Sequence, residues 1–73
     1  MTILENIKDI LKEKQDIDPA SVSNSTTFEE LQIDSIDMIE LVCELEDRID
    51  KDLSETPRDI KNVGEFINYV ETL

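Results

Sequence analysis

Apolar residues recur along this chain at intervals of three and four rather than alternating, so the pattern predicts helices and no strands. Ile3, Leu4, Ile7, Ile10 and Leu11 form one stripe of an amphipathic helix. Thr2, with Glu5 three positions on, gives that helix a capping-box start. The stripe fades near Gln15, ahead of Asp18-Pro19, where the residue before proline disfavours helix. Residues 16–27, rich in Ser, Thr, Asn and Asp, read as a long loop anchored in the core by Ile17 and Val22. So long a loop in a small protein calls for a reason. The expected one is that it crosses the length of the bundle, so that the first two helices need not be immediate antiparallel neighbours. Phe28, Leu31 and Ile33 then lead into the second helix.

The second helix, predicted from about Ser35 to Ile49, has three distinct arcs. With Asp37 at zero and an advance of ~100° per residue, Leu41, Leu45, Met38, Ile49 and Val42 share a buried arc. Asp37, Glu40, Glu44 and Asp47 occupy the opposing arc, with Arg48 beside them. Ile36, Ile39 and Cys43 form a strip between the two. Residues 50–61 are polar apart from Leu53 and Ile60, and Pro57 suits the first position of a short helical turn. A last helix starts at Asn62, in a second capping box with Glu65, with Val63, Phe66, Ile67, Val70 and Leu73 as its core stripe. The fold class is an all-α bundle, and residues 1–73 are expected to form one domain.

Composition narrows the chemistry. The 73 residues hold 19 acidic and 7 basic side chains, a formal charge of −12, with no histidine and one cysteine. Histidine-based catalysis and a Cys/His zinc site are excluded, and a lone cysteine makes no internal disulfide. An acidic surface repels nucleic acid and anionic membranes, so neither is expected as a partner, and basic protein surfaces are. No stretch is long and apolar enough to span a bilayer, and no signal-peptide pattern is present. A cytoplasmic location is expected, which suits the unpaired thiol.

Four site types can be weighed against the spacing. Gly64 is the only glycine, so no loop of glycines can cradle a phosphate. Asp50, Asp52 and Ser54 begin a calcium-loop pattern, but Glu55 takes its glycine position and Lys61 its closing one, so no specific metal site is expected. Carboxylates on an exposed helix face have no evident cause for a raised pKa, and an enzyme is not expected. Ser35 differs. It stands at the start of the second helix, where free amides and the positive dipole end favour a phosphate group, although serine or Asp34 at that place often serves only as a cap.

Asp34-Ser35-Ile36-Asp37-Met38-Ile39-Glu40-Leu41 resembles the acyl carrier protein signature D-S-L-D-x-[V/I]-E-L. The likeness runs over nearly the whole chain, including the long loop, Leu45-Glu46-Asp47 and the closing Val63, Ile67, Val70 pattern. The resemblance implies a four-helix bundle with a short third helix around Thr56 to Ile60. It implies that Ser35, beside Asp34, receives 4′-phosphopantetheine from coenzyme A through a phosphopantetheinyl transferase (holo-ACP synthase). Acyl groups then ride on the arm as thioesters, and tethering raises their effective concentration at each docked enzyme.

The same resemblance implies partners such as acyltransferases, ketosynthases and other acyl-processing enzymes with basic patches. They would dock on Ile36, Asp37, Ile39, Glu40, Cys43, Glu44 and Asp47 of a monomeric carrier, in contacts that form fast and release easily. Val42, Leu45, Leu53, Ile60 and Phe28 would part to shelter an acyl chain. The pathway stays open between fatty-acid and specialised, polyketide-like biosynthesis. A D-alanyl or other aminoacyl carrier is an alternative, and an acidic helical binding module without a prosthetic group is another. The chain departs from the family at Ile36, Cys43, Glu44 and Ser54, and at Gln32, where glycine is usual. A positive φ is costly for glutamine, so the loop before Ser35 is expected to be shaped differently.

Overall fold

Each helix starts at the residue whose side chain caps it. In the computed structural model, which describes residues 2–57 and 59–73, Thr2 opens helix α1 (Ile3–Gln15). Its hydroxyl oxygen accepts the Glu5 N–H at 3.1 Å, and the Glu5 carboxylate accepts the Thr2 N–H at 3.3 Å. Asp34 caps α2 (Ser35–Ile49) by accepting the Asp37 N–H at 2.9 Å. Asn62 caps α3 (Val63–Glu71) by accepting the Glu65 N–H at 2.8 Å. The predicted second capping box is displaced by one residue, because the Glu65 carboxylate accepts from the Lys61 N–H at 3.4 Å. A 3₁₀ turn at Pro19–Ser21 is the other helical element, and no strand occurs among the described residues beyond an isolated Thr27–Asn62 bridge. The fold is all-helical.

Among the described residues twelve apolar side chains form the buried core, and four of them, Val22, Phe28, Ile33 and Leu53, come from the connections rather than the helices. The loops are therefore held by the same hydrophobic burial as the helices. Phe28 meets Phe66 of α3 edge to face, with ring centroids 6.3 Å apart, a pairing that adds ~0.5–1.5 kcal/mol to area burial. The α2 core arc is placed as predicted, with Leu41 and Leu45 fully buried and Met38, Val42 and Ile49 packed against the core. Leu73 is not part of the α3 stripe: the helix ends at Glu71, and Leu73 is left 53% exposed.

The first connection does not cross the bundle. Helices α1 and α2 are direct antiparallel neighbours: Gln15 Nε2 donates to the Asp37 carbonyl at 3.3 Å, and Arg48 reaches Glu13 at 3.0 Å and Asp9 at 3.6 Å. Residues 16–34 leave and return at the same end, and between those points they dock on the start of α3. There the N–H groups of Val63 and Gly64 donate to the carbonyls of Thr26 and Asn24 at 2.9 and 2.8 Å, which satisfies the first free amides of α3. A Cβ on residue 64 would lie 2.8 Å from the Asn24 carbonyl oxygen, so glycine is required by the close approach.

The crossing connection is the second one. Lys51 Nζ lies 3.5 Å from the Val70 carbonyl at the far end of α3, whereas the Lys61 carbonyl accepts the Phe28 N–H beside the start of α2. Residues 51–57 and 59–61 thus run back along α2. Around Thr56 to Ile60, where the resemblance implies a short helix, the described residues form turns and open chain, and Arg58 of that stretch lies outside the described residues.

Candidate functional site

Ser35 is positioned by two successive helix-cap devices. A single helical turn at residues 28–31 is opened by a capping box: Thr27 Oγ1 accepts the Glu30 N–H at 3.0 Å, and the Glu30 carboxylate accepts the Thr27 N–H at 3.0 Å. The backbone N–H of Thr27, then its hydroxyl, hold the Glu30 carboxyl below the usual carboxylate range. The turn closes with a Schellman motif, in which Gln32 N–H donates to the Glu29 carbonyl and Ile33 N–H to the Phe28 carbonyl, both at 3.0 Å. That motif requires a left-handed residue at position 32, and Gln32 takes it, with φ 58°. The expectation of a differently shaped loop is therefore corrected: the loop is held left-handed without glycine. Buried Phe28 and Ile33 occupy the positions of the apolar contact that accompanies this motif.

The chain then turns into α2 at Asp34, and Ser35 is its first residue, exposed to solvent. Among the described residues the Ser35 hydroxyl has no hydrogen-bond partner, and the N–H groups of Ser35 and Ile36 are the unclaimed first amides of the helix. An ester of phosphoric acid on this oxygen would meet two free donors and the positive end of the helix dipole. A 4′-phosphopantetheine group therefore fits at Ser35, with Asp34 holding the helix start through the Asp37 amide.

Ser35 stands at the edge of a groove of about 690 Å³, in the range of small-molecule sites. Met38 and Val42 line it from α2, Leu53 and Ile60 from the returning segment, and Phe28 from the first connection. Of the residues expected to shelter an acyl chain, Leu45 alone is not at its wall; it is fully buried elsewhere in the core.

The expected docking residues divide into two groups. Ile36 and Ile39 are 68% and 63% exposed, and Glu40, Cys43 and Asp47 are exposed beside them. Glu44 and Asp37, by contrast, belong to the flank that meets α1. Glu44 lies 3.8 Å from Lys14 and 4.0 Å from Arg48, and both it and Asp37 are half-buried. The open surface next to Ser35 is thus Ile36, Ile39, Glu40, Cys43 and Asp47, with the charge of Glu44 partly neutralised within the molecule. Glu46 was not singled out from the sequence, yet its carboxylate accepts the Leu53 N–H at 2.7 Å and it lines the groove. Its position at about 180° on the α2 wheel, between the core arc and the Ile39 strip, is the signal that could have marked it.

Comparison with known proteins gives the same family over the same span. The family described as "Phosphopantetheine attachment site" matches residues 3–70. The acyl carrier protein of Streptococcus pneumoniae serotype 4 (strain ATCC BAA-334 / TIGR4) is 34% identical over 71 residues, covering 97% of this chain and 95% of that protein. The acyl carrier protein of Streptococcus thermophilus (strain CNRZ 1066) is 35% identical over the same shares of both. That of Lactococcus lactis subsp. lactis (strain IL1403) is 32% identical, with 97% of this chain and 96% of that protein covered.

Proposed function

The chain belongs to the acyl carrier protein family, whose members bear a 4′-phosphopantetheine prosthetic group, and from that premise we propose that Ser35 is its attachment point. Acyl carrier proteins are carriers rather than enzymes, and they work with a phosphopantetheinyl transferase and acyl-processing enzymes. The observation that carries the proposal is the exposed Ser35 hydroxyl, unpartnered among the described residues, at the start of α2 and at the edge of an apolar groove. When bound, the group supplies a terminal thiol on which acyl groups ride as thioesters.

The chain's own residues have three tasks in this reading. Asp34 and the Schellman turn at Gln32 fix the helix start, so that Ser35 is presented the same way to every partner. Ile36, Ile39, Glu40, Cys43 and Asp47 meet basic enzyme patches in a contact steered by charge, with Asp37 and Glu44 adding field from the α1 flank. The groove lined by Phe28, Met38, Val42, Leu53 and Ile60 takes up the apolar part of the cargo. A four-helix bundle, as the family resemblance implies, would need a short third helix in the second connection, where the described residues 56, 57, 59 and 60 stand as turn and open chain.

The cargo of this reading is an acyl chain of fatty-acid or specialised, polyketide-like biosynthesis, and the apolar groove favours it over an aminoacyl group such as D-alanine. The experiment is intact mass after incubation with coenzyme A and a broad-specificity phosphopantetheinyl transferase. The wild-type chain gains one phosphopantetheine and Ser35→Ala gains none. An unmodified wild type, with several such transferases, removes the carrier reading in favour of an acidic binding module.

A further inference from the structure

One wall of the groove has, among the described residues, few polar contacts with the rest of the molecule. Most hydrogen bonds among the described residues of the stretch 52–60 are local: Thr56 N–H and Oγ1 both donate to the Leu53 carbonyl, at 3.1 and 2.6 Å, and Ser54 N–H donates to the Asp52 carboxylate at 2.9 Å. Among the described residues, the backbone of this stretch makes no hydrogen bond to another backbone element. The tether that joins its backbone to α2, among the described residues, is the 2.7 Å bond from the Leu53 N–H to Glu46 Oε2, and the Asp52 side chain lies against the same carboxylate. Leu53 is fully buried, so this one residue carries both the tether and the deepest apolar contact of the segment.

Glu46 is half-buried, and it lines a groove whose other α2 residues include Met38, Ile39 and Val42. A carboxylate withdrawn from water beside apolar walls is unfavourable unless a donor satisfies it. The Leu53 amide is that donor while the wall is closed, and water takes its place when the wall parts. Both arrangements leave the carboxylate satisfied. Parting the wall therefore costs the net value of one charge-assisted hydrogen bond, and not the larger penalty of an orphaned buried carboxylate.

We propose that Glu46 is a positioning residue, a latch that holds Leu53 against α2 and so sets how far the 52–57 wall of the groove parts. The proposal rests on reading the groove as the compartment for the apolar cargo. It makes Glu46 a determinant of groove capacity, distinct from the residues that touch partner enzymes.

Residue-resolved amide hydrogen exchange on the apo chain tests the latch. In Glu46→Ala, the Leu53 amide and those of residues 54–56 exchange about tenfold faster or more, as expected for losing a hydrogen bond to a charged group, while core amides of Ile10 and Phe66 keep their wild-type rates. Glu46→Gln, which retains an acceptor oxygen, falls between the two and keeps the test open should the alanine variant fail to fold. Unchanged exchange at Leu53, or a rise there matched at Ile10 and Phe66, overturns the proposal. Methyl spectra of acetyl- and octanoyl-loaded wild type test the cargo reading separately. Octanoyl-dependent shifts at Met38 and Leu53, enlarged in Glu46→Ala, support both. Shifts without the exchange effect sink the latch alone, whereas the exchange effect without shifts sinks the cargo reading and the claim on capacity.

Discussion

Replacing Gln32 by glycine is predicted to stabilise the protein, because the structure stores backbone strain there. Gln32 has φ 58° at the close of the Schellman turn, and its side chain is exposed and makes no hydrogen bond among the described residues. A Cβ in the left-handed region costs about 1–2 kcal/mol. Glycine removes that cost but adds about 0.5–1 kcal/mol of unfolded-state freedom. The net gain spans about 0–1.5 kcal/mol and is centred on about 0.75 kcal/mol, which in a domain of this size raises Tm by roughly 3–6 °C. Urea unfolding followed by helical circular dichroism should show the midpoint rising by about 0.5–1 M at constant slope. Gln32→Ala, which keeps the Cβ, should gain nothing. A midpoint for Gln32→Gly at or below wild type, with the slope unchanged, would refute strain at this position. Phosphopantetheine loading should be unaffected, since glycine preserves the φ that presents Ser35.

Three further outcomes follow from the same geometry. Gly64→Ala places a Cβ 2.8 Å from the Asn24 carbonyl oxygen, and since that oxygen is backbone the variant should lose about 1–3 kcal/mol in thermal or urea melts. The Glu30 carboxyl is held below the usual range by the Thr27 N–H and hydroxyl, so on acidification the unfolded chain takes up that proton first. Its stabilisation is complete above the ordinary carboxylate range and lost as pH falls through the depressed value. The advantage of wild type over Glu30→Ala, measured by melts from neutral pH to about pH 3, should therefore shrink on acidification. Finally, Glu40→Lys should slow association with a phosphopantetheinyl transferase at low salt more than Glu44→Lys does, by about two- to fivefold. Glu40 faces solvent, whereas Glu44 is already engaged with Lys14 and Arg48; stopped-flow or surface-binding kinetics would show equal effects if the acidic residues acted as one stripe.

Helix starts were legible in the sequence because Thr2, Asp34 and Asn62 act on amides three residues away, a local matter. The burial of α2 was legible for a related reason, since periodicity alone places Leu41 and Leu45 inward and sets Ile36 and Ile39 apart from that arc. What depended on distant parts of the chain was not. The wheel showed four acids on one arc but not that α1 packs against the Asp37–Glu44 side of it and pairs Glu44 with Lys14. The course of the first connection is not legible locally, because nothing nearby in the sequence reveals that Asn24 and Thr26 receive the first amides of α3. The role of Glu46 is not legible locally, because it exists only once Leu53 returns along α2. Gln32 shows the opposite failure, a local preference read as decisive. Two backbone hydrogen bonds at 3.0 Å and the burial of Phe28 and Ile33 on either side of the turn outweigh about 1–2 kcal/mol of strain.

The claim on which the rest depends is that this chain carries its prosthetic group on Ser35. Ser54 provides the internal contrast, because it too is exposed and lines the same groove but lies outside any helix. Tandem mass spectrometry of the loaded wild-type protein, with fragmentation that keeps the phosphodiester intact, assigns the modified side chain directly. The account predicts a single phosphopantetheine, on Ser35, with Ser21, Ser23, Ser25 and Ser54 unmodified; its localisation to Ser54 or any other serine would contradict it.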